Sequence, residues 1–404
     1  MWKTDVSEHK KITTMTVDVI ESTPQKQNDM NATPDSKEKD ENTVNKYKEE
    51  QELENQNEQT DDNADMLSKA TGEFGLWQTF IFFAIVVPVK MCGTWTLLGI
   101  VFLAPKTTFK CIQLLNSTEE TNNSTCYHDC IKYEYYSDFE NTIIKQWDLI
   151  CDRAWLSNLS QTVCMFGALV GSMVLGFVSD RYGRRIALLS TCALHLIASV
   201  ITPFTTVFWG FLILRFFLGA AAANLTVIPF VLFMEIVGPN KRELANTIFH
   251  IPIPLGQAVM PAFAYYLRSW DKFSIGVTVP SFLFLTYYFF LPESPKWLLS
   301  MDKVEEAATV MKTAAKWNGL PTEKISDTAN AIARANEKDR KPDTQKTSYL
   351  DLVTIPSLRI NNLLSCLCWF GLGLSFYGSN QYIGQTSSNS FLSIALAGIA
   401  EVNT

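Results

Sequence analysis

The most informative part of the sequence is Gly176-Phe-Val-Ser-Asp180-Arg181-Tyr182-Gly183-Arg184-Arg185, a charged segment between two apolar ones. Gly183 permits a sharp reversal, because glycine adopts backbone conformations that other residues avoid. Asp180 has hydrogen-bond donors within reach in Arg181 and Arg184, and Gly176 lets a neighbouring helix come close. An ordinary basic loop would account for the arginines but not for the aspartate and the glycine spacing. The pattern therefore predicts a tight polar turn between two membrane helices.

The rest of the chain carries further apolar runs on both sides of this turn. Crossing a bilayer takes about 20 consecutive apolar residues in a helix. Seven runs approach or exceed that length, and they are Trp77–Leu103, Leu159–Val178, Ile186–Ile201, Phe208–Val237, Ile248–Leu267, Ile275–Leu291 and Ile360–Tyr382. A helix satisfies its own backbone in lipid, and none of these runs shows the alternation of a barrel strand. The sequence therefore predicts an all-α multi-pass membrane protein.

The composition divides the chain into two parts. Of the 404 residues 47% are hydrophobic, but residues 1–72 are rich in charged and amide side chains, and the net charge of -7 comes largely from Asp35–Asp65. A segment with so few apolar residues cannot bury enough surface to fold, so we expect a disordered acidic tail. Met1–Ile20 lacks the continuous apolar core of a secretory signal. The first span is therefore expected to act as the insertion signal, and nothing supports a nucleic-acid partner.

The basic residues predict the orientation, because short loops rich in Lys and Arg stay on the cytoplasmic side of a membrane. They cluster at Arg181–Arg185, at Lys241–Arg242 and in Lys296–Lys346, whereas the alternate loop Thr202–Val207 carries no charge. This asymmetry predicts that the amino terminus is cytoplasmic. The expected location is the plasma membrane, with residues 104–154 outside the cell.

Residues 104–154 have the features of an extracellular segment. They contain glycosylation sequons at Asn116, Asn122 and Asn123, and four of the nine cysteines, namely Cys111, Cys126, Cys130 and Cys151. An oxidising compartment favours disulfides, and four cysteines allow three pairings, between which the sequence does not choose. The other cysteines, Cys92, Cys164, Cys192, Cys366 and Cys368, fall within helices and are expected to pack.

Polar side chains inside the apolar helices are the candidates for substrate contact, since burying them is costly unless they pair or line a cavity. They are Lys90, Thr94, Arg215, Asn224, His250, Gln257, Tyr377, Asn380, Gln381 and Tyr382. Lys90 and Thr94 share a helix face, and Lys90 suits a carboxylate. Structural alternatives stay open: a structural pair or a snorkelling side chain for Lys90, an ion pair for Arg215 and simple packing for His250.

Two groups of residues concern helix shape rather than chemistry. Pro252, Pro254 and Pro261 remove backbone donors from the fifth run and should bend it. Gly167 and Gly171 in the second run form a face of small residues that suits close helix packing.

The charged turn resembles the signature loop of the major facilitator superfamily, at the expected place after the second helix. Arg215-Phe-Phe-Leu-Gly219, Met234-Glu235-Ile-Val-Gly238-Pro239 with Arg242, and Pro292-Glu293-Ser294-Pro295-Lys296-Trp297-Leu298-Leu299 resemble the organic cation, anion and carnitine transporter family within it. Sugar porters carry a related last motif but generally lack the cysteine-bearing loop. Lys296 stands where the family usually has Arg, which keeps the charge but loses the planar fork. The resemblance covers roughly residues 73–400.

The resemblance implies a domain order and a mechanism. The first helix occupies residues 73–103, helices two to six residues 155–291, a cytoplasmic linker with short helices residues 292–358, and helix seven with the start of helix eight residues 359–404. Two six-helix bundles would rock around a central site for a small organic ion. Ion pairs on the cytoplasmic side would hold the outward-facing state. The residues expected to form them are Asp180, Arg181, Arg184, Arg185, Arg215, Glu235, Arg242, Glu293 and Lys296.

Three other interpretations of the sequence are considered next to the transporter. The chain carries only one helix and the start Ser390–Ala400 of another from the second bundle, so a short form that inserts without saturable uptake is one of them. The tripeptide Asp180-Arg181-Tyr182 suggests a seven-helix receptor, but there it closes the third span and the amino terminus lies outside. The third interpretation is an enzyme, but the sequence contains no HExxH, GxSxG, Walker loop or CxxC motif. It therefore predicts no cofactor, no metal site and no coupling to ATP. The substrate's charge, the coupling ion and the oligomeric state stay open.

Overall fold

The computed structural model describes residues 65–114, 122–128, 130–339, 354, 356–386 and 389–402. Residues 1–64 of the tail 1–72, where disorder is expected, and the sequon at Asn116 lie outside these ranges. For the end of that tail the expectation is wrong, because residues 65–71 are helical, with Ser68 and Thr71 buried. Helices make up most of the described chain, and a single pair of strands follows the first span there.

Within the described ranges, seven helices are long and apolar enough to cross a membrane. These spans, numbered first to seventh, are Leu76–Leu98, Cys151–Tyr182, Arg184–Phe204, Phe208–Ile236, Pro239–Leu267, Trp270–Phe290 and Leu358–Gly384. The first and fourth spans are the most enclosed, whereas the seventh is exposed along its most apolar stretch. The predicted all-α multi-pass architecture is confirmed.

Prolines explain where two of the spans depart from a regular α-helix. The first span contains a π-helical turn at Phe82–Val86, next to Pro88, whose ring would otherwise collide with the preceding turn. The fifth span consists of Arg242–His250 and Pro252–Leu267, which meet at Ile251. The second of these helices begins with a proline because that residue has no N–H to donate. The sequence predicts a bend from Pro252, Pro254 and Pro261, and the structure shows an interruption of the helix immediately before Pro252.

Small residues let the second and fourth spans approach closely. A Cβ atom added to Gly167 would overlap the backbone of Phe216, and one added to Gly171 would overlap Ala220. The predicted small-residue face is therefore confirmed. Gly176 differs, since no heavy atom lies within 4 Å of a Cβ built there. The expectation that Gly176 admits a neighbouring helix is wrong for the described chain, because no described helix packs against that side of the second span.

The segment between the first and second spans contains an antiparallel hairpin. Its strands are β1 (Thr108–Leu114) and β2 (Cys130–Tyr136). One disulfide joins Cys111 to Cys130 across the strands, and the other joins Cys126 to Cys151 at the start of the second span. This is one of the three pairings that the sequence allows. Asn122 and Asn123, between the strands, are exposed.

The second half of this segment docks on the ends of the spans. The Trp147 ring lies 5.6 Å from Phe208, 5.2 Å from Phe211 and 5.4 Å from Trp270, measured between centroids. Its indole N–H donates to the carbonyl of Thr206 at 2.9 Å. Aromatic packing of this kind fixes the disulfide-linked segment against the fourth and sixth spans and the loop that precedes the fourth.

At the opposite end of the second span, short helices follow the sixth span. They are Pro295–Ser300, Val304–Trp317 and Ile325–Asp339, and they share a small apolar core of their own. Asn318 joins this group to the beginning of the first span, because its side-chain amide donates to the carbonyl of Thr71 at 2.6 Å. The same side chain accepts the backbone N–H of Trp77 at 3.0 Å.

The seventh span is followed by the helix Ser390–Val402, which packs on the fifth span. Gly398 allows this contact, since a Cβ atom there would meet the backbone of Pro254 and Ala258. Cys366 and Cys368 in the seventh span are exposed. The expectation that they pack inside the protein is wrong, because no described helix covers the side of the seventh span on which they lie.

Candidate functional site

Two polar arrangements stand out, one at the charged turn and one within the membrane spans. The turn begins at Gly183, whose φ of 102° lies in the region that favours glycine. A side chain at this position would also collide with the carboxylate of Glu293. The backbone reversal and the approach of Glu293 therefore both depend on glycine, and Gly183 serves the sharp turn that the sequence predicts.

Arg184 is the centre of the contacts at the turn. Its guanidinium binds the Glu235 carboxylate through two hydrogen bonds, Nε to Oε2 at 3.1 Å and Nη2 to Oε1 at 3.0 Å. Nη1 donates to the carbonyl of Ser179 at 2.9 Å. Asp180 lies 3.4 Å from Nη2 but is largely exposed. The Arg184 and Glu235 side chains are only 11% and 15% exposed. Their bidentate ion pair is therefore better shielded from solvent than the pair between Arg184 and Asp180.

Glu293 acts on the backbone of the turn. Its Oε1 accepts the N–H of Arg184 at 2.8 Å, and its Oε2 accepts the N–H of Arg185 at 3.1 Å. The carboxylate thereby caps the helix that starts the third span, where the helix dipole favours negative charge. Burial raises the pKa of Glu293, and hydrogen bonds from the backbone of Ser294, Arg185 and Arg184 oppose that rise. The sequence predicts an ion-pair carboxylate here, but the polar contacts are with amides.

Not every predicted member of the ion-pair network joins it. Arg181, Arg242 and Lys296 form no ion pair with any residue that the structure describes. Arg185 reaches the carbonyl of Tyr288 at 2.9 Å instead of a carboxylate. Arg215 lies elsewhere, within the fourth span, where it donates to the carbonyl of Thr96 and to Gln161 Oε1. Sequence reasoning missed the Trp297 indole, which donates to the carbonyl of Asp180 at 2.9 Å and ties the short helices to the turn.

Within the spans, Lys90 is fully buried and is not open to a ligand. Its Nζ donates to the carbonyl of Phe249 at 2.8 Å and lies 3.5 Å from the centre of the Phe249 ring. Both contacts favour the charged amine in an apolar place. The geometry therefore corresponds to the structural alternative for Lys90 and not to a carboxylate-binding role.

A cavity of about 300 Å³ opens between the first, second, fourth, fifth and seventh spans. Thr94 and Tyr377 are the predicted residues that line it, together with Ile253, Phe376 and the carboxylate-bearing Glu401. Sequence reasoning missed Glu401, because this residue follows an apolar run too short to be assigned as a span. The remaining walls are apolar except for Thr226, and the apolar residues are Leu97, Leu98, Met165, Ala168, Ala223 and Val227.

Two further candidates meet across the protein. The Gln257 amide donates to Asn380 Oδ1 at 2.8 Å and so links the fifth span to the seventh. The Asn224 amide donates to the carbonyl of Ala220 at 2.8 Å. The carbonyl oxygens of Gln257 and Asn224 are buried and have no hydrogen-bond partner among the described residues. They are acceptors without a donor, a combination that a protein interior rarely tolerates.

The other candidates lie away from the cavity. Tyr382 is 68% exposed, and neither it nor Gln381 lines the cavity. His250 is exposed, and its Nδ1 lies 2.8 Å from the carbonyl of Asn246 in its own helix. The structure thus brings Thr94 and Tyr377 to one cavity, joins Gln257 to Asn380, and separates Lys90, Tyr382 and His250 from them.

Known proteins resemble this chain in sequence. Residues 85–391 match the family described as "Sugar (and other) transporter". Rat solute carrier family 22 member 3 is 32% identical over 66% of this chain and 47% of its own length. The Drosophila melanogaster organic cation transporter protein is 27% identical over 82% of this chain and 67% of its own. The Drosophila beta-alanine transporter is 30% identical over 66% of this chain and 45% of its own. The chain thus matches about half the length of most of these relatives.

Solved structures support the same fold. The E. coli xylose transporter XylE in a partially occluded inward open conformation matches 81% of this chain and 71% of its own, with 17% identity and a TM-score of 0.53. The proton:xylose symporter XylE of the major facilitator superfamily, bound to a bromodeoxyglucose, matches 81% and 68% with 16% identity and a TM-score of 0.56. The predicted family resemblance and the prediction of no enzyme are confirmed. The chain belongs to the sugar (and other) transporter family, has the major facilitator fold, and is related to the organic cation transporters.

Proposed function

We propose that this protein is a secondary transporter that moves small organic ions across the plasma membrane by alternating access. The relatives whose names include an organic cation and beta-alanine support a small charged substrate. Family membership supports a multi-pass transporter. In this proposal the charged turn faces the cytosol and the disulfide-linked hairpin faces outward, as the distribution of basic loops favours.

The observation that carries the proposal is the cavity of about 300 Å³ together with the contact between Gln257 and Asn380. The cavity has the size and the apolar walls of a small-molecule site. It lies where five spans meet, and its lining includes the seventh span as well as the first bundle. A hydrogen bond between the fifth and seventh spans can form or break as these parts move, which suits alternating access.

The chemistry of the lining favours a cation. Lys90 is occupied by the carbonyl and ring of Phe249. The cavity presents the carboxylate of Glu401 and the ring of Tyr377, which attract ammonium groups. Asn224 in the fourth span and Gln257 in the fifth do not line the cavity, but their carbonyl oxygens have no hydrogen-bond partner among the described residues and need a donor. We therefore assign the substrate to the organic cations, with anions and zwitterions as the alternatives that an experiment must exclude.

The turn at Gly183 supplies a gate in this proposal. Arg184, Glu235 and Glu293 join the ends of the second, third and fourth spans to the segment after the sixth. Charge-assisted hydrogen bonds of this kind hold one arrangement of the helices until they are broken together. Their rupture would accompany the opening of the cytosolic side.

Uptake in cells expressing the protein tests the function. Labelled tetraethylammonium, carnitine and benzoate represent a cation, a zwitterion and an anion, and we expect saturable uptake of the cation. Gln257→Leu and Tyr377→Ala should each raise the half-saturating concentration by about fivefold or more, as expected for the loss of one polar or cation–π contact. Gln381→Leu and Tyr382→Ala are the matched controls, because these residues neither line the cavity, as Tyr377 does, nor take part in the hydrogen bond between Gln257 and Asn380.

Binding to the purified chain in lipid nanodiscs separates recognition from movement. Binding of tetraethylammonium that Gln257→Leu and Tyr377→Ala weaken, with the two controls unchanged, supports the assigned site. Uptake of benzoate in place of the cation would overturn the charge assignment. Absence of both binding and uptake for all three compounds would overturn the proposed function.

A further inference from the structure

A cavity of about 170 Å³ lies beside the charged turn, and we call it the turn-side cavity. It is bounded by the helix of residues 65–71, the start of the first span, the end of the fourth, the start of the fifth and the short helices after the sixth. It shares no lining residue with the cavity of about 300 Å³ between the spans. The turn-side cavity is therefore a separate space with its own chemistry.

Two cations of the lining have no counter-charge. Arg242 lies at the start of the fifth span and Lys296 in the first helix after the sixth, and both line the turn-side cavity. Neither forms an ion pair with any residue in the described part of the chain. Arg242 is half-buried and Lys296 is exposed, so a ligand can reach both. An anion bound between two like charges removes their repulsion.

The carboxylate in the lining does not supply this counter-charge. It belongs to Glu235, whose two oxygens accept Nε–H and Nη2–H of Arg184 at 3.1 and 3.0 Å. The charge of Glu235 is therefore already neutralised. Arg242 and Lys296 leave the cavity with two positive charges that no carboxylate among the described residues balances.

The hydroxyl groups of the lining have already used their protons. Ser68 Oγ and Thr71 Oγ1 each donate to a carbonyl of their own helix, at 3.0 and 2.9 Å. Ser300 Oγ does the same at 2.7 Å. The charged groups of Arg242 and Lys296 are thus the donors to which the head of an anion would bind.

The rest of the lining is largely apolar. The buried side chains of Trp77, Ile236 and Leu299 form part of it, together with those of Leu67 and Ile332. Apolar walls favour a ligand that brings an apolar group, because burial of that group stabilises binding. The volume corresponds to on the order of ten water molecules, so a ligand of about ten non-hydrogen atoms fits.

We propose that the turn-side cavity is a binding site for a small phosphate monoester, an anion that carries one compact apolar group. A phosphate monoester has close to two negative charges at neutral pH, which match Arg242 and Lys296. A guanidinium also binds two phosphate oxygens in parallel. The apolar group lies against Trp77 and Leu299. A nucleotide is too large for the cavity and is excluded.

Binding at this site acts on the charged turn. The ligand joins Arg242, at the start of the fifth span, to Lys296, after the sixth, next to the Glu235 that holds Arg184. A molecule that binds this arrangement and not the separated one stabilises it by mass action. The ligand therefore regulates the gate of the proposed transporter. This regulatory role rests on the proposed function, whereas binding itself does not.

Binding is tested with phenyl phosphate on the purified chain in detergent, without a transported substrate. We expect the unfolding temperature to rise saturably with phenyl phosphate at constant ionic strength. Inorganic phosphate lacks the ring and benzoate carries a single charge, so each should need about tenfold higher concentrations. Stabilisation by benzoate at the same concentrations as phenyl phosphate would overturn the assignment to phosphate.

Substitutions of the two cations test the position of the site. Arg242→Gln and Lys296→Gln should each raise the half-saturating concentration of phenyl phosphate by about tenfold or more, as for the loss of a hydrogen bond between charged groups. Lys296→Arg keeps the charge and should bind like the native protein. Lys241→Gln is the matched control, because Lys241 is an exposed neighbour of Arg242 that does not line the cavity.

Crystals grown with 4-bromophenyl phosphate give a direct readout. An anomalous bromine peak beside Trp77 and Leu299 supports the proposal. An unfolding temperature that does not respond to phenyl phosphate would overturn it, and so would a response that Lys241→Gln weakens as much as Arg242→Gln does. Neither measurement involves uptake, so failure here leaves the proposed transport function to its own tests.

Discussion

Arg184 concentrates more polar contacts than its neighbours at the charged turn. Its side chain holds Glu235 and Ser179, and its backbone N–H is held by Glu293. The neighbouring Arg181 carries the same charge but forms no ion pair within the described chain. Identical side chains three positions apart therefore differ in role, because only one of them points at a shielded carboxylate.

Replacing Arg184 with Lys should destabilise the protein while Arg181→Lys should not. Lysine keeps the charge but cannot bind Glu235 through two parallel hydrogen bonds, so we expect a loss of about 1–3 kcal/mol. Thermal unfolding in detergent measures it. A double-mutant cycle with Glu235→Gln checks that the loss belongs to this pair, and equal effects for both lysine variants would contradict it.

Glu293 should make stability depend on pH. Its pKa in the folded protein is raised by burial, so the folded state takes up a proton at a higher pH than the unfolded chain. The contribution of this group is therefore fully present below the ordinary carboxyl pKa and is lost as the pH rises through the raised value. Arg184 is the charged group that opposes the shift.

The comparison of the native protein with Glu293→Gln isolates this effect. The difference between their unfolding temperatures should move in favour of the native protein as the pH falls from neutral through the raised pKa. Glutamine keeps an acceptor for the two backbone N–H groups but does not titrate. A difference that stays constant between neutral and acidic pH would exclude the assigned pKa shift.

At the level of elements, the turn between the second and third spans depends on one glycine of the two in the motif. Gly183 has a positive φ and faces Glu293, whereas Gly176 lies in a helix with open space around it. The two glycines look equivalent in the sequence. Only the neighbours in the structure separate them.

Gly183→Ala should therefore be destabilising, and Gly176→Ala should be neutral or slightly stabilising. The first adds a Cβ in a left-handed conformation against a carboxylate and should cost about 1–3 kcal/mol. The second replaces glycine with a better helix former in free space. The unfolding temperatures of the two variants test this prediction. It is contradicted if Gly176→Ala lowers the unfolding temperature more than Gly183→Ala does.

At the level of the whole molecule, the arginine-rich turn and the disulfide-linked segment lie at opposite ends of the second span. The arginine-rich turn follows Tyr182, and the disulfide to Cys126 is made at Cys151, where the span begins. A membrane-spanning helix therefore separates the two features. If the turn faces the cytosol, the hairpin with Asn122 and Asn123 faces outward.

Glycan mapping tests this orientation. In cells, removal of N-glycans should increase the gel mobility of the native protein but not that of a variant with Asn116, Asn122 and Asn123 changed to Gln. Asn158-Leu159-Ser160 is a further sequon, but it lies within the second span, so Asn158→Gln should behave like the native protein. A native protein that carries no glycan while the turn is reached by external reagents would reverse the topology.

Several site features depend on residues distant in the chain. Lys90 binds Phe249, Gln257 binds Asn380, and Glu293 binds the amides of Arg184 and Arg185. A sequence pattern identifies such residues as unusual but does not identify their partners. The hairpin of residues 108–136 was also not predicted, since its alternation is short and polar and the disulfides contribute to its stability.

The chain's local properties decide the seven spans, their order, the interruption at Pro252 and the charged turn. Apolar length, proline and basic residues act within a few neighbouring positions, so these features can be predicted without knowing any contact. Tertiary packing alone decides which cysteines pair, which of two glycines is indispensable, and that Lys90 is closed to ligands while Tyr377 and Glu401 share a cavity. These outcomes depend on which helix faces meet, and the energies of such contacts are set by neighbours that lie far away in the sequence.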